Sequence, residues 1–206
     1  MLTNEVIILA DGLFPEHSIP LALLKSGCSI VCCDGATMKL VAAGLEPTIV
    51  IGDLDSLTDE YKNIFSDRLV YDQDQETNDL TKAVEFCVKK GVEKAYILGA
   101  TGLREDHTLG NISLLASYSS KLDIEMYTNS GYFVSVFKSM RLKSYFGQQI
   151  SIFSLTPQMP LTLENLKFPL ENRPLLSWWE GTLNEALGDW FGLKFTEGKF
   201  LVFLLY

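Results

Sequence analysis

Short, nearly all-apolar runs rich in β-branched residues alternate with amphipathic segments through residues 1–128, and no other feature of the sequence constrains the fold so tightly. A run such as Val6-Ile7-Ile8-Leu9 leaves its strand no polar face. The sheet it joins must then be covered on both sides, which is the condition of a parallel sheet crossed by helices. The spacing predicts strands over 5–10, 29–33, 48–52, 68–71, 94–98 and 124–128, with helices over 19–26, 37–43, 59–66, 79–90 and 107–118.

After Asn129-Ser130-Gly131 the helical period fades, and turn residues punctuate short alternating runs. Strands are expected over 132–137, 141–146, 149–155, 192–196 and 199–205, with Glu197-Gly198 as a hairpin turn between the last two. The expected organisation is a mostly parallel α/β domain over 1–130 and a smaller all-β sandwich over 131–206.

Composition removes several classes of function. A formal charge of −9 argues against a nucleic-acid partner, which needs a basic surface. The longest apolar stretches are strand-sized, well short of the roughly 20 residues that span a bilayer, so no membrane role is expected. Residues 1–10 lack a basic n-region and a cleavage site, so a cytoplasmic location is the expectation. Cys28, Cys32, Cys33 and Cys87 form no CxxC spacing. Neighbours on a strand point to opposite faces, so Cys32 and Cys33 are read as buried thiols rather than a disulfide.

In an open α/β sheet, ligands sit beyond the carboxyl ends of the strands. The five loops at those ends read Asp11-Gly12, Asp34-Gly35-Ala36, Gly52-Asp53-Leu54-Asp55-Ser56, Asp72 to Asp79, and Gly99 to His107. Asp53 and Asp55, two apart on a chain leaving a strand, can face one way and present hard oxygen ligands of the kind Mg²⁺ takes, or they can simply cap a turn. The second acidic loop favours the metal, because crowded carboxylates without a cation destabilise the fold. Asp79 opens a helix and can also serve as its first-turn dipole partner. The glycines of 99–107 let backbone N–H groups approach a phosphate, and Arg104 can fork onto phosphate oxygens or form a surface pair with Asp106. His107 is read as a packing residue. Lys82, three residues beyond Asp79, is either a solvated helix lysine or a phosphate ligand. Phe168, Trp178 and Trp179 are either core or an aromatic face for a flat cationic ring.

Taken together and in order, these stretches resemble the thiamin pyrophosphokinase family. Cys33-Asp34-Gly35-Ala36 resembles its Asp-Gly-Gly-Ala element, and Gly52 to Ser56 its Gly-Asp-Phe-Asp-Ser. Asp74 to Lys82 is similar to its acidic stretch running into Thr-Lys. Gly99 to Asn111 is similar to its Gly-Ala-Thr-Gly-Gly-Arg-x-Asp-His-x-x-x-Asn segment, the most specific of the set, with Leu103 at the second glycine's position. Leu166 to Leu170 and Gly181 to Glu185 resemble its two C-terminal elements, with Leu183 where the family has serine.

The resemblance implies a Rossmann-like N-terminal domain, a β-sandwich C-terminal domain that binds thiamin and dimerises, and a homodimer with shared active sites. It implies thiamin and ATP as substrates and Mg²⁺ as cofactor. Carried over by position, Asp53, Asp55 and Asp79 hold the metal, and Gln75, Asn78 and Lys82 lie along the pyrophosphate. Thr101, Arg104 and Asp106 belong to the nucleotide and Asp34 to the rim of the same cleft, while Phe168 stacks on thiamin with Asn184 close by; Trp178, from its residue type alone, is a further candidate for that aromatic face. Two rivals stay open: a hydroxymethylpterin-type pyrophosphokinase, and a non-catalytic nucleotide or thiamin sensor.

Overall fold

The computed structural model describes residues 2–206, which divide into two compact units, Met1–Asn129 and Ser130–Tyr206. In the first, the apolar runs form β1 (Glu5–Leu9), β2 (Ser29–Cys33), β3 (Ile49–Gly52), β4 (Leu69–Tyr71), β5 (Lys94–Leu98) and β6 (Asp123–Tyr127). All five pairings among them are parallel, in the order β6-β5-β1-β2-β3-β4. Val6, Ile7, Ile8 and Leu9 are fully buried, as a strand covered on both faces requires.

The helices are α1 (Ser18–Leu24), α2 (Thr37–Ala42), α3 (Asp59–Ile64), α4 (Asp79–Lys89) and α5 (Glu105–Tyr118). In α4, Leu80, Ala83, Val84 and Cys87 are buried, which is the i, i+3, i+4, i+7 stripe of a helix lying on a sheet. The Asn78 side chain caps its first turn by accepting from Thr81 N. Truncating Leu80 to alanine would empty part of that seam at a cost of about 2–5 kcal/mol. The chain builds outward from β1 to β4, then returns to add β5 on the other side of β1. That reversal puts a topological switch point between β1 and β5, where such sheets open a crevice.

The second unit contains two antiparallel sheets. One orders β12 (Asn184–Glu185), β9 (Gln149–Ser154), β14 (Phe200–Leu205) and β7 (Gly131–Val136). The other orders β11 (Leu170–Arg173), β10 (Leu161–Glu164), β13 (Trp190–Lys194) and β8 (Met140–Lys143). One core unites them: Val136, Ile150, Ile152, Phe200 and Val202 from the first sheet meet Leu161, Leu163, Phe191 and Leu193 from the second. This is a sandwich, joined to an α/β layer in one mixed α/β chain.

Two sequence expectations change here. Glu197-Gly198 is not a hairpin turn, because β13 pairs with β8 and β10 while β14 pairs with β7 and β9. The segment carries the chain from one sheet to the facing one, and Phe195 packs on Phe200 across the core with ring centroids 4.7 Å apart. The strand expected over 141–146 stops at Lys143, and Tyr145 and Phe146 lie exposed in the turn before Gly147. Strands β10, β11 and β12 were not expected at all. No helix among the described residues is long and apolar enough to cross a membrane.

Candidate functional site

At the switch point the loops after β1 and β5 are bonded to each other. Gly12 N donates to Gly99 O at 2.6 Å and Leu13 N to Thr101 O at 2.8 Å. A side chain at Gly12 would meet Gly99 O at 2.3 Å, so only glycine permits this approach. The left-handed turn beyond falls on Gly102, with φ +95°, and Leu103 at the lost glycine position needs no such geometry. Around these loops lies a cavity of about 380 Å³ that also takes in Asp34, Ser56, Asn78, Asp79, Arg104 and Asn111. That volume suits a small-molecule ligand.

Asp34 sits where β2 runs through one tight turn into α2, and it is only 3% exposed. Its Oδ1 accepts from Gly35 N at 2.5 Å, whereas Oδ2 is buried without a partner. Burial, and next the charge of Asp79, pushes its carboxyl above the ordinary value. Asp53 and Asp55 leave β3 around Leu54, whose left-handed φ of 61° is held by burial against Val50 and Leu57. Asp53 is lowered, first by the Asp55 backbone N–H and then by Gln75, whose Nε2 donates to Asp53 Oδ2 at 3.4 Å. Asp34, Asp53 and Asp55 each place one carboxylate oxygen within 4.8 Å of the others.

The structure therefore regroups the acidic residues. Asp79, expected beside Asp53 and Asp55, is not one of the three carboxylates within 4.8 Å of one another; its Oδ1 pairs with Lys82 Nζ at 3.1 Å, and it lines the cavity. Lys82 itself does not reach the cavity: its side chain is 4% exposed and turned onto Asp79. Burial pulls its ammonium down, but the bond to Asp79 and the charges of Asp79, Asp53 and Asp72 outweigh this and hold it above the usual lysine value. In the second acidic loop, Asp72 accepts from Asp74 N and Asp74 from Glu76 N and Thr77 Oγ1, so these carboxylates shape the loop.

Arg104 is exposed and forks onto Asp106, with Nε to Oδ1 at 3.0 Å and Nη2 to Oδ2 at 2.5 Å. That fork, followed by the His107 N–H, brings the Asp106 carboxyl down to about 2. Asn78 lines the cavity with an amide already committed to capping α4 and to Asn111 Oδ1.

In the second unit Phe168 is 61% exposed and Asn184 only 7%. Asn184 Oδ1 accepts from Phe168 N at 3.0 Å, and its Nδ2 donates to Phe168 O at 2.8 Å. Its amide thus pins the backbone of Phe168 beneath the ring. Leu183 is exposed with φ 55°, a left-handed geometry that costs an L-residue about 1–2 kcal/mol, and its N–H donates to Ser151 Oγ at 3.1 Å. Trp178 is half-buried: it donates Nε1–H to Ser154 O at 3.1 Å and packs edge-on against Phe153. Trp179 carries the exposed indole.

Comparison with known proteins places this geometry. Residues 21–128 match the family described as thiamin pyrophosphokinase, catalytic domain, and residues 131–203 match thiamin pyrophosphokinase, substrate-binding domain. The chain belongs to the thiamin pyrophosphokinase family. Transfer of pyrophosphate from ATP to thiamin, giving thiamin diphosphate and AMP, is the activity that goes with that family's two parts. A thiamine pyrophosphokinase of Bacillus subtilis is 28% identical over 153 residues, covering 68% of this chain and 69% of its own. Among solved structures, thiamine pyrophosphokinase from Bacillus subtilis superposes with a TM-score of 0.81 at 24% identity, over 98% of each chain. Yeast thiamin pyrophosphokinase gives 0.81 at 16% identity, over 98% of this chain and 86% of that one. At those identities the superpositions speak for the thiamin pyrophosphokinase fold alone.

Ser56, Thr108 and Asn111 line the cavity and were missed in the sequence as site residues, and His107, read as a packing residue, is exposed on the cavity wall. Ser56 and Asn111 stand at the ends of stretches quoted for their other members, the Asp53–Asp55 loop and the long glycine-to-asparagine segment, and Thr108 lies inside the second. Membership of those stretches was the available signal.

Proposed function

We propose that the strand-end cavity of the first unit takes the triphosphate of ATP with Mg²⁺, and that Phe168 in the second unit stacks on thiamin. The observation that carries this reading is Asp34, a buried carboxylate whose Oδ2 has no partner and which groups with the carboxylates of Asp53 and Asp55. Burying an unpaired charge is expensive unless a cation meets it. Three carboxylates are hard donors of the kind Mg²⁺ accepts alongside water and phosphate oxygens, so the residues fit the ion. Asp34, Asp53 and Asp55 would hold it, and when bound it neutralises charge on the phosphoryl oxygens.

The chain's own residues do the remaining work of positioning. Gln75 holds Asp53 in place, Lys82 holds Asp79 against the cavity, and the Thr101 loop and Arg104 flank the space left for phosphates. The thiamin hydroxyl attacks the β-phosphorus and gives up its proton to a rim carboxylate; a P–O bond forms there, the bond from that phosphorus to the oxygen bridging the α and β phosphates breaks, and AMP leaves with that bond's electron pair. Phe168, pinned by Asn184, offers a face to the cationic ring.

The working unit in this reading is a cytoplasmic homodimer whose sites are shared between subunits. Exposed Phe168 and Leu183, far along the chain from the ATP loops, favour sharing. The free state of Cys28, Cys32, Cys33 and Cys87 favours a reducing compartment. The test is to incubate the protein with ATP, Mg²⁺ and thiamin and separate the products. AMP and thiamin diphosphate should appear in equal amounts and vanish with chelator, whereas ADP or a chelator-insensitive rate contradicts the reading.

A further inference from the structure

The cavity wall contains a side-chain bridge to which the reaction outlined above assigns no part. Asn111, in the second turn of α5, donates from Nδ2 to the backbone oxygen of Ala100 at 2.8 Å. Its Oδ1 accepts from Asn78 Nδ2 at 3.2 Å. Asn78 Oδ1 in turn accepts from Thr81 N at 2.9 Å and Thr81 Oγ1 at 2.7 Å. The Thr81 hydroxyl closes the chain on the buried Tyr118 OH at 2.6 Å. Every link made by the two amides has one sensible donor and acceptor order, because a backbone carbonyl can only accept and a backbone N–H can only donate. The orientations of both amides follow from those two ends.

We infer that Asn111 is a positioning residue for the nucleotide. It ties the β5–α5 loop, which carries Thr101 and Arg104, to the start of α4, which carries Asp79. Ala100 precedes the left-handed turn at Gly102, and glycines at 99 and 102 leave this loop free to choose among conformations. A hydrogen bond on the Ala100 carbonyl selects one. Peptide planarity then fixes the Thr101 N–H on the opposite side of that bond. Asn111 reaches this carbonyl from a rigid helix, and through Asn78 it sets the same frame for the α4 N-terminus, so the two walls of the cavity cannot drift apart independently.

The inference rests on reading the cavity as the ATP site, and its test separates the two. Asn111→Ala removes both bonds while placing the best helix former in mid-helix, so the fold is retained. Asn111→Asp keeps the acceptor for Asn78 and replaces the donor by an oxygen facing the Ala100 carbonyl. Steady-state kinetics on both variants should show KM for ATP raised about tenfold, the effect of losing one well-placed hydrogen bond. Both kcat and the KM for thiamin should stay within about twofold, a split that general loss of structure does not produce. Unchanged KM for ATP in both variants, or equal losses for ATP and thiamin, overturns the positioning role. If Asn111→Ala does not fold, the same comparison in Asn111→Asp decides. Failure of the wild type to use ATP would overturn the ATP reading itself, whatever the variants do.

Discussion

The strand-end rim of the first unit and the Phe168 face of the second solve opposite problems. The rim gathers carboxylates and silences most of them locally: Asp72 and Asp74 accept from their own loop, Asp79 is held by Lys82, and Asp106 by Arg104. What is left over is the buried Asp34, with one oxygen unpartnered, and Asp53 and Asp55 grouped with it. The Phe168 face instead leaves apolar surface exposed and spends its polar groups underneath, where the Asn184 amide grips the Phe168 backbone. The difference teaches where to look: in the rim the informative group is a buried carboxylate oxygen without a partner, and on the face it is an exposed apolar ring.

If that contrast holds, damage to each region has its own signature. The largest effect is expected from Asp55→Asn, which keeps shape and removes charge. Its kcat should fall by about a hundredfold or more while thermal unfolding is nearly unchanged. Near-normal turnover breaks the metal assignment. Next in size, mixing Asp55→Asn with Asn184→Ala chains tests whether the two regions that serve one reaction come from different subunits. Assayed at thiamin well below the wild-type KM, activity after subunit exchange should rise above the average of the two parents toward about one quarter of wild type, since half the dimers are hybrids with one undamaged site each. No recovery after verified exchange means that each chain completes its own site.

A smaller effect belongs to Phe168→Leu. Thiamin affinity should weaken by about 0.5–2 kcal/mol, the range of a cation–π contact, with ATP affinity unmoved. Equal loss of both ligands would blur the division between the regions. The smallest concerns the metal-free protein: Asp34→Asn removes a buried unpaired charge and should raise Tm by about 2–4 °C, the shift for about 1 kcal/mol in a chain this size. The same variant should lose the stabilisation that Mg²⁺ gives wild type. A fall in metal-free Tm contradicts the account of Asp34.

The two regions also differ in how much of them the sequence disclosed. The α/β layer was legible because a fully apolar strand such as Val6–Leu9 admits one environment, and because strand-end loops collect at one rim. The sandwich was legible only where runs were long. Strand β11 (Leu170–Arg173) is mostly exposed and β12 is two residues long, so neither carries an alternating signal. Glu197-Gly198 misled because turn residues announce a change of direction without saying whether the flanking strands pair or face each other across a core.

At the site, Asp53 and Asp55 were found from their spacing. Asp34, one aspartate after a strand, gave no hint that its carboxylate is buried. The i, i+3 relation of Asp79 and Lys82 was visible, but its meaning turned on burial, which pointed the lysine inward instead of toward phosphate. Asn184 was placed near thiamin only through the family resemblance, and its grip on the Phe168 backbone was not visible, because sequence gives the residue type and leaves the direction of the side chain open.

The central claim is that two phosphoryl groups leave ATP together, from the acid rim to the ring-bound alcohol. Tracing label from ATP marked separately at the α and the γ phosphorus tests it most directly. The account predicts that in a single turnover the γ label appears in thiamin diphosphate and the α label remains wholly in AMP. Appearance of γ label in thiamin monophosphate with ADP as co-product, or in free phosphate without modified thiamin, would contradict it.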